Sequence, residues 1–423
     1  MGILSIFKRK RVKKDYLLAL DIGTEFVKAL IFRINKEKKR GFVVGFGRQR
    51  QNSAYMQAGT VSDIEGVSLA CQAAIEKAAA MAGGYPQEVI MGIAGELVKG
   101  TTASFIYKRP KPQDKIDLPE LKNIIQKVQW KSFDQVRSQL AQQTGRSEIE
   151  IKLINALITD LRIDGYRITN PLGFQGREVF VSIFNVYAPL VHLGALQTIA
   201  SNLKLDLLSI AAEPYALARA ANIKSQSGAI FIDIGGGTTD VALVRRAGVE
   251  KTNSLALAGR AFTKRLAKQF GASLAEAEAV KIKYGRQQLG QIANRRIKEA
   301  LKNDIDIWLK GLELILEEFD LSQPLPSLIL LCGGGSLLPE IAQVFRKDSV
   351  KSQWQEKFPF VQFPKISFVE AKNIADITDQ TNSLFGPVYI MPIALASLGL
   401  SLVAEKENIL TSTLRRSVKM MQR

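Results

Sequence analysis

Two aspartates bracket a triple glycine in residues 231–244, FIDIGGGTTDVALV. Phe231 and Ile232 form an apolar run that reads as a strand, closed by Asp233. Gly235, Gly236 and Gly237 lack a Cβ, so the chain can turn sharply there with its amides exposed. Thr238, Thr239 and Asp240 lead into a second apolar run. Such a turn can wrap a phosphate with N–H groups. An ordinary tight hairpin needs the glycines but not the two carboxylates. Residues 15–34, DYLLALDIGTEFVKALIFRI, repeat the plan: strand, Asp21-x-Gly23, a polar turn with Thr24 and Glu25, strand. An internal echo marks a duplicated unit, here two lobes that each offer a hairpin to a shared cleft. A third glycine turn follows the apolar strand at 328–331: Gly333, Gly334 and Gly335, with Ser336 expected to cap the next helix. It suits close approach of a ribose or purine. Glu213 lies just beyond another strand, where it can serve a helix dipole or face the cleft.

These groups need a framework, and the chain is long enough to supply one. Its 423 residues, 46% hydrophobic, fit two to four domains with substantial cores. Strands are expected at 88–94, 179–186 and 205–210, and helices at 66–82, 190–200, 213–221, 260–270, 293–318 and 391–404. Glu278 and Lys281 sit on a further helix ending near Tyr284. Residues 97–176 change character, with a surface loop at 109–112, a helix over 118–130, short strands and the turn NPLGFQG at 170–176. They read as a small α+β insertion without catalytic spacing. Residues 177–224 then resume the first lobe.

Two cysteines, Cys71 and Cys332, are too few for a disulfide scaffold and fit a reduced compartment. The single histidine, His192, disfavours zinc sites of the usual kind and reads as structural. No apolar run is long enough for a transmembrane helix, and the N-terminus lacks the order of a signal peptide. The net charge of +18 is concentrated at the two ends. Residues 1–14, MGILSIFKRKRVKK, are either a disordered basic tail or a surface-ordered segment. At the other end Ile409, Leu410, Leu414, Val418 and Met421 fall at helical spacing, with Arg415 and Arg416 among them. An amphipathic helix on an anionic membrane explains both faces; docking in a partner groove is the alternative. The charge alone also permits nucleic acid, but no zinc-finger spacing or arginine-rich tail with interleaved aromatics supports it, and none is expected as a partner.

The order and spacing of the three glycine turns resemble the actin-like ATPase superfamily, which includes actin, the Hsp70 ATPase domain and bacterial FtsA. Within it the chain is similar to FtsA, through NPLGFQG at 170–176, LALAGRAFTKRLA at 255–267 and AEAEAVKIKYG at 275–285. The likeness covers roughly residues 15–403 plus the terminal helix. It implies an α/β, bilobal actin-like ATPase fold with duplicated ribonuclease H-like cores and an inserted α+β subdomain. The implied division is a basic tail (1–14), first-lobe core (15–96, 177–224), inserted subdomain (97–176), second-lobe core (225–260, 325–369), helical subdomain (261–324), return to the first lobe (370–403), and a spacer with amphipathic helix (404–423).

The resemblance further implies ATP and Mg²⁺ between the lobes. Asp21 and Asp233 would lie near the metal and its waters, and Thr24 with the amides of 235–238 would hold phosphates. Glu278 and Lys281 would flank the nucleoside, with Gly334, Gly335 and Ser336 closing over it. Glu213 matches the acidic residue that orients the attacking water in hydrolysing members. Many FtsA proteins lack it, whereas AAEPYALARA at 211–220 resembles the pilus-assembly protein PilM. The glycine-rich GGGTTD points the other way, and the spacer at about 404–408 is shorter than usual. The leading expectation is a peripheral protein on the inner face of the cell membrane that binds ATP, forms filaments with itself, hydrolyses slowly if at all, and tethers FtsZ filaments to that membrane, with other division proteins and anionic inner-leaflet lipids as further partners. The alternative is a PilM-like adaptor of a type IV pilus complex. A sugar kinase of the same superfamily is disfavoured, since the first lobe shows no sugar-binding acidic constellation.

Overall fold

The computed structural model describes residues 15–96, 98–144, 151–221, 228–245, 248–319, 321–374 and 376–404, together with Leu414 and Val418. In the first lobe, β1 (Tyr16–Ile22), β2 (Phe26–Asn35) and β3 (Arg40–Arg50) form an antiparallel meander. The short pair β4 (Met56–Gln57) and β5 (Thr60–Val61) leads into α1 (Ile64–Ala82). Asp63 caps that helix by accepting from Gly66 N, and Gly83 ends it in a left-handed turn. β6 (Glu88–Ile93) then runs parallel to β1.

The insertion follows: β7 (Lys99–Lys108), α2 (Leu118–Thr144), β8 (Ile151–Ile163), β9 (Tyr166–Arg167) and β10 (Glu178–Pro189). α3 (Leu190–Asn202), β11 (Asp206–Ala212) and α4 (Glu213–Ala220) return to the first lobe, where β11 adds parallel to β6.

The second lobe repeats the pattern. β12 (Ala229–Ile234), β13 (Thr239–Arg245) and β14 (Gly248–Leu255) form an antiparallel meander. After α5 (Gly259–Phe270), α6 (Leu274–Gly285) and α7 (Gln291–Glu317), β15 (Leu328–Cys332) runs parallel to β12. α8 (Pro339–Val344) and α9 (Asp348–Lys357) precede β16 (Lys365–Phe368), which adds parallel to β15. β17 (Ile377–Asp379) pairs with β3, and α10 (Ile390–Ala404) packs across β1 and α4.

The resulting orders are β11-β6-β1-β2-β3-β17 and β16-β15-β12-β13-β14-β7-β10-β8-β9. The first five strands of each sheet therefore share one order and one set of directions. Strands buried on both faces, such as AIFIDI in β12, carry continuous apolar runs, as central strands must. One core surrounds the first sheet, with α1 on one side and α10 on the other; a second lies between β12, β13 and β15 and helices α5, α7, α8 and α9. Each fully buried Leu, Ile, Val or Phe in them contributes roughly 1.5–3 kcal/mol.

Two differences from the sequence reading stand out. The strand expected over 179–186 belongs to the inserted sheet, not to the first lobe's: β10 lies between β7 and β8 there, and most of its length is buried. Pairing of β14 with β7, Thr252 with Gly100, joins that sheet to the second lobe. The helix over 118–130 continues to Thr144, because the apolar spacing fades in QVRSQLAQQT while helix-compatible residues persist. Among the described residues no helix is long and apolar enough to cross a membrane.

Candidate functional site

The parallel strands β1, β6, β11, β12 and β15 all end on one side, where ligands of open α/β sheets collect. Asp21 and Asp233 lie at two of those ends, Glu213 follows β11, and Gly333 follows β15. They line one cleft of about 460 Å³.

The two hairpins are built alike. Gly23 N donates to Phe26 O at 3.2 Å, and Gly235 N donates to Thr238 O at 2.9 Å. Asp21 faces Lys28 across the first strand pair, and Asp233 faces Asp240 across the second. Their turns meet in the cleft. A Cβ on Gly237 would lie 2.4 Å from Thr24 Oγ1, so glycine is required by the close approach of the other lobe. Gly333, at φ 81°, is required twice: its Cβ would also fall 2.1 Å from Asp233 Oδ1.

Charge is unevenly placed here. Lys28 Nζ donates to Asp21 Oδ2 at 2.7 Å. Burial opposes the charge on Lys28, but Asp21, Asp233 and Glu213 outweigh it and raise its pKa. Burial, then Asp21, Asp240 and Asp233, push Glu213 well above the usual carboxylate range. Asp233 is pushed up to about 7 by burial and by Asp240. Asp240 rises to about 6 through burial, opposed by hydrogen bonds from Ser254 and Thr238 hydroxyls.

Three carboxylates, Asp21, Asp233 and Glu213, thus act on Lys28, with Asp240 beside Asp233. Hard oxygen donors in excess over cations fit a hydrated divalent ion such as Mg²⁺, which keeps several waters. Among the described residues no group of three acidic, histidine or cysteine side chains is placed to hold a metal directly. Contact through water or through a ligand's phosphate is the arrangement these residues suit.

Glu278 and Lys281 form part of the cleft wall and are tied to each other at 2.7 Å. Lys281 Nζ also donates to Gly259 O and Thr263 Oγ1, at 2.8 and 2.7 Å. They therefore fix α6 against the start of α5. Gly334 and Gly335 line the cleft as well. Ser336 is buried just beside it in a 3-10 turn, where its hydroxyl donates to Gly333 O at 2.6 Å; it does not cap α8, whose flanking residue is Leu338. His192 is buried beside Gly95, next to the cleft-lining Ala94 but not itself part of the lining, and burial lowers its pKa. Both cysteines are free and buried.

Several cleft residues escaped the sequence reading. Lys28 had a signal, as the one charge inside the apolar run FVKALIF. Arg48 lies 3.5 Å from the Phe26 ring centroid and, with Arg286 and Tyr389, lines the cleft. These come from distant segments, and nothing local marks them.

At the C-terminal end the described residues are Leu414 and Val418, both helical. Leu414 is 4% exposed and joins the apolar cluster of α2, β8 and β10; Val418 joins a neighbouring cluster with Leu153 and Tyr187. The two positions lie against the insertion. Ile409, Leu410, Arg415, Arg416 and Met421 lie outside the described residues.

A family model for "Cell division protein FtsA" matches residues 230–379, a span that holds the second hairpin and the third glycine turn. The FtsA of Streptococcus pneumoniae serotype 2 is 24% identical over 352 residues, covering 78% of this chain and 73% of that protein. The FtsA of Neisseria meningitidis serogroup B is 26% identical over 280 residues, covering 64% and 62%. Among solved structures, a chain of the PilM-PilN type IV pilus biogenesis complex superposes with a TM-score of 0.62 at 18% identity, covering 91% of this chain and 98% of that one. The fold is therefore of the α/β class shared with that PilM-PilN chain. The match within it is at family level, to FtsA in sequence and in part to PilM in structure.

Proposed function

We propose that this protein binds ATP with magnesium in the interlobe cleft and works as an actin-like, self-assembling tether. The observation that carries this is the meeting of two Asp-x-Gly hairpins at the carboxyl ends of two sheets of matching strand order. The repeated order supports duplicated ribonuclease H-like cores. Thr24 and the amides of Gly235, Gly236, Gly237 and Thr238 would hold phosphates. Asp21 and Asp233 would hold the metal through its waters, whose charge stabilises the transferring phosphoryl group. Lys28 balances the carboxylates. Glu213, whose pKa burial and the neighbouring aspartates raise, would orient a water, with bound cations favouring its charged form. Gly334, Gly335, Glu278 and Lys281 close the nucleoside side.

FtsZ is the proposed polymer partner, at the inner face of the cell membrane, with anionic lipids meeting the basic ends. The sequence match to FtsA supports this reading. A PilM-like adaptor is the second reading, supported by the coverage of the PilM-PilN structure and by burial of Leu414 and Val418 against the insertion. Calorimetric titration with Mg-ATP tests the cleft, and its failure with folded protein removes both readings. Pull-down against FtsZ tails and against cytoplasmic tails of inner-membrane pilus proteins then separates them. Capture of the pilus tail alone would replace the first reading by the second.

A further inference from the structure

Arg260 is the second residue of α5, a position where a cation opposes the helix dipole. No acidic residue stands in that first turn to offset it. Its compensation comes from the other lobe. Arg260 Nε donates to Glu25 Oε1 at 2.7 Å. One terminal nitrogen donates to Thr24 O at 2.9 Å, and the other to Met56 O and Ser53 O at 2.7 and 3.1 Å. The backbone of the same residue faces the opposite way: Arg260 N donates to Gly236 O at 2.7 Å, and Gly259 N donates to Gly235 O at 3.1 Å. One residue thus grips both hairpin turns, the second by its backbone and the first by its guanidinium. Glu25 completes the contact, because its side chain fills the space a Cβ on Gly236 would need.

We infer that Arg260 is an interlobe latch that sets the rate of nucleotide exchange. The inference rests on the proposed nucleotide site between the same two turns. The lobes cannot part at these turns without breaking every guanidinium contact, including a charge-assisted pair, which is the stronger kind of hydrogen bond. A bound polyphosphate therefore leaves only after the latch opens. Lysine cannot replace it, since an ammonium lacks the planar fork that reaches Glu25 and three carbonyls together.

The test is stopped-flow dissociation of the fluorescent nucleotide mant-ADP with magnesium from the full chain. Arg260→Ala and Glu25→Gln should each speed dissociation by about tenfold, the loss of one to two charged hydrogen bonds. Arg260→Lys should fall between them and the wild type, and the double variant should add little to either single one. An unchanged dissociation rate in Arg260→Ala, with thermal unfolding near wild type, overturns the latch. If the wild type binds no nucleotide, the site reading fails and the latch is read without it. Spin labels at Glu65→Cys and Lys268→Cys, one exposed position on each lobe, then report the interlobe distance, and both native cysteines are buried. A broader distribution in Arg260→Ala supports the latch, and an identical one overturns it.

Discussion

Lys28 and Asp240 hold equivalent places in the two glycine hairpins, each directly across its strand pair from an aspartate. The first hairpin thus closes on an ion pair of 2.7 Å, and the second on two carboxylates. The pair is nearly closed off, with side-chain exposures of 15% and 3%. Removing one partner of such a pair leaves an uncompensated charge. Lys28→Met is expected to cost about 3 kcal/mol, the low end for a buried pair because some solvent reaches the lysine. Asp233→Asn should act oppositely on the nucleotide-free protein, by relieving repulsion with Asp240, while weakening magnesium-dependent binding. Denaturant midpoints at neutral pH check the signs; a Lys28→Met midpoint equal to wild type contradicts the charge balance drawn here.

Glu213 provides a kinetic prediction. Its side chain is buried at the strand end and packs against Gly92. It neither pairs with Lys28 at hydrogen-bond distance nor forms part of a hairpin turn. Glu213→Ala should therefore leave Mg-ATP affinity within about twofold while lowering turnover by roughly 10²-fold, the usual scale for a positioned acid or base. Phosphate release under saturating ATP reads the second quantity and calorimetry the first. Unchanged turnover would assign the residue to packing alone.

The insertion is pinned by a different ion pair. Arg109 donates to Glu120 from Nε and Nη2, each at 2.8 Å, and also to Gly176 O from Nη1 at 3.0 Å and to Asp114 O from Nη2 at 2.9 Å. It ties β7 and the start of α2 to the end of the NPLGFQG turn. Arg109→Ala should destabilise this subdomain by about 3 kcal/mol or more, as for a buried pair broken on one side. Hydrogen exchange across β7, β8 and β10 would rise, while amides of β1 and β12 keep their protection. Uniform change over the whole chain would show instead that the insertion does not open alone.

How far the sequence foretold all this depends on separation along the chain. Both hairpins were legible because strand, aspartate and glycine turn are contiguous, and their hydrogen bonds close within four residues. Helices such as α5 and α7 were legible from their apolar period. Arg260 was not: its partners Glu25, Thr24, Ser53 and Met56 lie more than 200 residues away, and the residue reads as one of several cations on a basic helix. β10 was seen as a strand but put in the wrong sheet, since an apolar run does not name its neighbours. Ser336 carried a valid cap signal that lost to a 3-10 turn, where its hydroxyl finds Gly333 O instead.

The same limit governs the C-terminal residues. The apolar stripe with interspersed arginines reads in sequence as lipid-facing, with a protein groove as the alternative, and Leu414 and Val418 are found against α2, β8 and β10. Side chains buried there cannot enter a bilayer at the same time, so membrane contact by Leu414 and Val418 requires undocking. Loosening the receptor, while leaving the stripe intact, should then favour lipid. Ile125→Ala with Val128→Ala, both buried in the cluster that holds Leu414, is the variant of choice. It removes roughly 2–5 kcal/mol of packing per larger side chain, enough to shift a docked equilibrium. Co-sedimentation with vesicles containing phosphatidylglycerol should show the double variant binding several-fold more than wild type, about what 1 kcal/mol of shift produces. Deletion of residues 405–423 should remove that gain. Equal sedimentation of intact, double-variant and truncated proteins would make the stripe a structural clamp on the insertion and leave any membrane contact to other residues.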